Sequence, residues 1–132
     1  MASEPSLLWR LEHRLGRGTL ALIATLLGVH LAFQIAVTAT GPDGAAMRLY
    51  NEHLALSAAA LKRGEVQTLV TYGLLHDLGG IRHILFNLLV LYFFGPPLER
   101  RWGTATFLRF FGIAVLAGGL LAWTRPWRWA VR

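Results

Sequence analysis

The chain has no cysteine, only seven acidic residues and only three serines, Ser3, Ser6 and Ser57. The first absence excludes a disulfide framework, a thiolate metal site and a cysteine nucleophile. The second leaves the acids outnumbered by thirteen Lys and Arg, for a formal net charge of +6. Charged residues make up just 15% of the 132, against 55% hydrophobic, and that balance is too apolar for an ordinary soluble domain. Excess base can serve nucleic-acid binding, but phosphate neutralisation needs Lys and Arg clustered on one element. Here Arg10, Arg14 and Arg17 precede the first apolar run, Arg100 and Arg101 separate the second from the third, and Arg125, Arg128 and Arg132 follow the last. Bases that flank greasy runs are a mark of membrane anchoring, so the expected partner is a lipid bilayer and not a nucleic acid.

Three runs carry the apolar residues. Residues 19–38 (TLALIATLLGVHLAFQIAVT) approach the twenty or so residues that cross a hydrocarbon core of about 30 Å. This run is too long for a signal-peptide core and has no small-residue cleavage site at the right distance, so it is expected to be retained. The second run, 79–98, is apolar mainly from Ile84 to Phe94 and carries Arg82 and His83 toward one end; polar groups that deep face other helices or a wet cavity. The third, 104–123, holds Arg109 near its start, where a long side chain reaches back to the headgroups. Ala114, Gly118 and Ala122 form a small-residue stripe along it that invites close approach of another helix. Trp9, Trp102, Trp123, Trp127 and Trp129 lie at or beyond run ends, where indoles favour the interface.

The expected fold is therefore all-α and polytopic: three transmembrane helices with a long, partly helical loop, 39–78, between the first two. A basic segment (1–18) precedes them and a basic, aromatic tail (124–132) follows. Gly41-Pro42-Asp43-Gly44 is a turn signal that ends the first span. Beyond it Met47, Leu49, Leu54, Leu56 and Leu61 interleave with Arg48, Glu52, Lys62 and Arg63, a pattern suited to a helix lying in the membrane surface. Val66 to Leu75 is rich in β-branched and aromatic residues and is expected to be irregular or extended. Six bases fall on one side of the membrane and seven on the other. The loop balances its bases with Asp43, Glu52, Glu65 and Asp77, and the N-terminus is expected in the cytoplasm.

Chemistry centres on the second run. His83 and Asn87 are four apart and project from one helix face, one turn above another. In a low-dielectric site such donors can stabilise an oxyanion, or they can join helices by hydrogen bonds. His76 and His83, seven apart, raise the thought of a haem or metal, but no Cys, Asp or Glu shares the span to complete a ligand set, so no cofactor and no metal is expected. His30 is expected to pack between helices or line a cavity, and His13 and His53 to be solvated.

The stretch from Thr71 to Trp123 resembles the rhomboid family of intramembrane serine proteases. Thr71, Tyr72 and His76 stand ahead of the helix, His83 and Asn87 within it, and Gly95, Leu98, Glu99 and Gly103 at the turn into the next. Nine positions in the right order are far more specific than any one motif. The resemblance covers residues 66–123, with two departures: Val66-Gln67 where many members carry Trp-Arg, and a longer spacing between His76 and His83. It implies the first half of a rhomboid-like six-helix fold in a multi-pass protein, of the bacterial inner membrane, that acts on transmembrane protein substrates. His83 and Asn87 would stabilise the oxyanion, His76, Gly95 and Gly103 would belong to the structural motif, and Glu99 with Arg100 would fix the turn between the second and third spans. The family's nucleophile is a serine in Gly-x-Ser-Gly on a later helix, its base a histidine later still. None of the three serines here has a glycine two residues before it, so the chain is expected to be a fragment without peptide-bond hydrolysis. A non-catalytic membrane protein that binds transmembrane clients is the alternative, and a small haem or metal protein the third.

Overall fold

The computed structural model describes residues 6–124; the tail expected over 124–132 and its tryptophans lie almost wholly outside the described residues. The chain is helical throughout, with no strand among the described residues. A short helix, α1 (Leu7–Leu15), starts where the Ser6 hydroxyl accepts the Trp9 amide at 3.2 Å. It ends at Gly16, whose φ of +86° is open to glycine and strained for other residues. The chain then turns straight into α2 (Arg17–Thr40). Two further long helices follow, α6 (Ile81–Trp102) and α7 (Thr104–Thr124), joined by the single residue Gly103 at φ +79°. By length and composition, Arg17–Thr40, Ile81–Trp102 and Thr104–Ala122 can each cross a membrane.

The bundle is held by narrow stripes. On α2, Thr19, Leu26 and His30 are buried, three and four residues apart or their multiples; on α6, Ile84, Gly95 and Glu99 are. The two helices come closest at Gly95, where an added Cβ would stand 2.7 Å from the Thr19 methyl. Outside the stripes, Ile35, Phe86, Phe93, Ile113 and Leu121 are exposed. In water that would be a liability, but hydrocarbon solvates such surfaces, and only backbone and polar groups then need partners inside the protein. Pro96 and Pro97 lie inside α6, where each removes an amide donor from the helical ladder.

The segment between α2 and α6 is a chain of short pieces: α3 (Ala45–Arg48), a π-helical turn (Leu49–Leu54), α4 (Ala58–Lys62), α5 (Thr68–Thr71) and a 3₁₀ turn (Tyr72–Leu74). Val66 to Leu75 is thus largely helical, not extended. Its β-branched residues are overruled by anchors: Thr71 Oγ1 donates to the Leu54 carbonyl at 2.7 Å, and the Tyr72 hydroxyl to the Val115 carbonyl of α7 at 2.6 Å. The small residues of α7 receive this segment, with an added Cβ on Gly118 or Gly119 meeting the Tyr72 ring or hydroxyl. Ala114 and Ala122 are exposed, so among the described residues the stripe hosts a loop helix and not a spanning one. Tyr50 pins the π-helical turn, its hydroxyl donating to the His76 carbonyl at 2.7 Å and its ring packing edge-on to Phe33 of α2.

Candidate functional site

His83 and Asn87 lie in the first two turns of α6. Asn87 is half-buried and continues the packed line of Ile84, Leu88 and Leu91, while His83 is exposed at its edge. The pair therefore sits on the border between the bundle and the open face of α6. Neither side chain has a hydrogen bond among the described residues. His83 meets His76, which the unwound residues before α6 bring to a ring separation of 5.3 Å. His76 in turn stands edge-on to His30 of α2 at 6.4 Å. Three imidazoles from α2, the loop and α6 thus line up, an arrangement in which the chain spacing of seven marks only two.

His30 and His76 are buried, each with an Nδ1 that has no hydrogen-bond partner. Desolvation, with the neighbouring imidazoles of His83 and His30 adding to it, pushes His76 below the ordinary imidazole value and keeps it neutral. Among the described residues no group of three or more His, Cys, Asp or Glu has the geometry to hold a metal ion. Asp77, beside His76, lies in a turn and not on a helix, its carboxylate accepting the Gly79 amide at 2.9 Å. His13 is exposed and stacks on Trp9, and His53 is exposed and paired with Glu65 at 3.1 Å.

The turn residues do more than shape the turn. Glu99 is only 5% exposed. It accepts the Gly18 amide at 2.7 Å, the Thr19 amide and Thr19 hydroxyl at 2.8 Å each, and the Thr104 hydroxyl at 2.6 Å. A carboxylate from the last turn of α6 thereby satisfies donors at the start of α2, where the helix dipole favours negative charge, and holds the first residue of α7 as well. Arg100 Nη1 donates to the Arg14 carbonyl at 3.3 Å, tying α6 to the last turn of α1. Gly103 ends α6, its amide donating to the Glu99 carbonyl at 2.8 Å. Thr19, Thr104 and Gly18 are partners that sequence reasoning missed, since nothing local in residues 17–19 points to an acceptor eighty residues away.

Of the serines, Ser57 and Ser6 are used as helix caps, Ser57 Oγ accepting the Ala60 amide at 3.1 Å. Ser3 lies outside the described residues. Residues 63–126 match the family model described as Rhomboid domain. No match was found among curated proteins or among solved structures.

Proposed function

The chain is a rhomboid family protein, and from that premise we propose that His83 and Asn87 are the oxyanion-stabilising half of a site for serine-type cleavage of transmembrane substrates. The family's members are intramembrane serine proteases, and the three apolar helices make this an integral membrane protein. The observation that supports the assignment is the freedom of the pair. A His and Asn serving only to join helices would be bonded to a neighbouring helix, yet among the described residues neither is. Their donors stand one turn apart at an edge that a reacting carbonyl can approach, and preorganised donors in a low-dielectric site act most strongly where negative charge develops.

The nucleophile is not supplied by these 132 residues, because two of the three serines are committed to caps and none has the flanking glycine. The chain by itself is therefore without peptide-bond hydrolysis, and cleavage of a transmembrane substrate by the purified product would refute that. The role of the pair is tested by joining residues 1–124 to the serine- and histidine-bearing helices of an active rhomboid protease. Asn87→Ala in that chimaera is expected to lower kcat on the order of a hundredfold; an unchanged kcat would reduce the pair to packing residues. The loop, which balances its bases with Asp43, Glu52, Glu65 and Asp77, supports a cytoplasmic N-terminus, and the family resemblance a bacterial inner membrane. Because the chain lacks cysteine, labelling of single introduced cysteines reads this orientation directly.

A second reading has its own support. Phe86, Tyr92, Phe93 and Phe94 form an exposed aromatic surface on α6, suited to holding a transmembrane client without cutting it. A photo-crosslinking residue at position 93 that captures a single-span peptide, with Asn87→Ala having no effect on capture, would favour this reading.

A further inference from the structure

Among the described residues, the two ends of the bundle differ in how their charges are held, paired within the loop at one end and exposed at the other. Glu99 binds Gly18, Thr19 and Thr104, so α1, the start of α2, the end of α6 and the start of α7 meet at one end. Arg10, Arg14, Arg17, Arg100 and Arg101 gather there, all exposed. Among the described residues two acids accompany them. Glu99 is buried and turned inward, and Glu12 stands 3.9 Å from Arg17. At the opposite end, Arg48, Lys62, Arg63 and Arg82 face four acids, Asp43, Glu52, Glu65 and Asp77. Those charges are knitted into the loop: Arg63 Nε donates to Glu65 at 3.1 Å and its Nη2 to the Glu52 carbonyl at 2.6 Å, while Arg48 donates to the Asp43 carbonyl at 2.7 Å. Arg125, Arg128 and Arg132 follow α7 and lie outside the described residues.

The basic end also carries its own depth markers. Trp9 is exposed and stacked on His13 at 4.0 Å; Trp102, exposed as well, stands edge-on to Phe110 at 5.1 Å. Indoles in such positions settle at the level of lipid headgroups. The hydrogen bond from Arg100 to the Arg14 carbonyl holds the α6 guanidinium against the end of α1 at that level. Guanidinium forks match phosphate oxygens in pairs, and at headgroup depth the anion at hand is a lipid phosphate. We propose that this end of the bundle is a binding surface for the headgroup of an anionic phospholipid, held by Arg14, Arg17, Arg100 and Arg101 between Trp9 and Trp102.

The test uses the full chain in nanodiscs of phosphatidylcholine and phosphatidylglycerol in equal parts. Tryptophan quenching by brominated phosphatidylglycerol is compared with quenching by brominated phosphatidylcholine. A preference of roughly fivefold for the anionic lipid is expected, the size of one arginine at a charged surface. It should shrink as salt shortens the range of surface charge. Arg14→Gln with Arg17→Gln and Arg101→Gln brings the preference to parity, whereas Lys62→Gln with Arg63→Gln leaves it in place. The salt dependence of the unaltered chain is read independently, so a misfolded triple variant does not shield the proposal. Equal quenching by the two lipids, a preference indifferent to salt, or one that vanishes only with Arg125→Gln, Arg128→Gln and Arg132→Gln would overturn it. So would a polyglutamate peptide, added to discs of phosphatidylcholine alone, binding this end more tightly than the anionic lipid does.

Discussion

Replacing Glu99 by alanine strips an acceptor from four donors at once: the Gly18 and Thr19 amides and the Thr19 and Thr104 hydroxyls. The two hydroxyls can rotate toward other acceptors. The two amides cannot, because they belong to the first turn of α2 and have no intrahelical acceptor. A buried donor left without a partner costs about 1–3 kcal/mol, so the pair accounts for about 2–6 kcal/mol. Loss of the negative charge at the α2 N-terminus adds up to about 1 kcal/mol. We expect Glu99→Ala to destabilise the protein by about 4 kcal/mol. Glu99→Gln should lose roughly half as much, since one amide oxygen still accepts while the NH₂ faces donors. The assay is reversible unfolding in mixed micelles followed by helical circular dichroism. A cycle with Thr104→Val separates the turn from the cap: the cost of Thr104→Val should disappear in the Glu99→Ala background. If Glu99→Ala lies within about 0.5 kcal/mol of the unaltered chain, the size of an ordinary surface change, then the carboxylate is not the keystone described above.

Two more outcomes follow from packing and from burial. Gly95→Ala places a Cβ 2.7 Å from the Thr19 methyl and 2.8 Å from its hydroxyl; pushing α6 off α2 should cost about 1–3 kcal/mol in the same assay, whereas Gly28→Ala, which meets nothing within 4 Å, should be neutral or slightly stabilising. For His76 the folded-state value lies below the unfolded one, chiefly through desolvation. Stability is thus complete above the ordinary imidazole value of 6.5 and declines as pH falls through it toward the lower folded value, because the unfolded chain takes the proton first. His76→Asn should flatten that decline, and an unaltered slope in unfolding measured between neutral and mildly acidic pH would assign it to other groups.

How much of this was written plainly in the chain depends on the range of the interaction. The apolar runs announce themselves because a helix in lipid must satisfy its own backbone, and length with composition suffices to mark it. The His83 and Asn87 pair was legible for the same local reason, four residues on one helix. The loop was not. Val66 to Leu75 has the composition of extended chain, and it coils because Thr71 and Tyr72 are claimed by Leu54 and Val115, partners that no window of ten residues contains. α6 also continues to Trp102 through Pro96 and Pro97, residues that read locally as a stop. Glu99 illustrates the limit best. Its position at a turn was evident, and the turn to Thr104 is nearby in sequence. Its grip on α2 spans eighty residues and depends on Gly16, at positive φ, and Gly18 leaving room for a carboxylate that an added Cβ would displace.

That grip sets an order of events during synthesis. When α2 enters the bilayer, its first amides have no acceptor from the rest of the protein until the end of α6 emerges from the ribosome and swings back to the same leaflet. The newborn helix is thus left with an open clasp that only a correctly inserted successor can close. An α6 threaded the wrong way would deliver its carboxylate to the far leaflet and leave the clasp open.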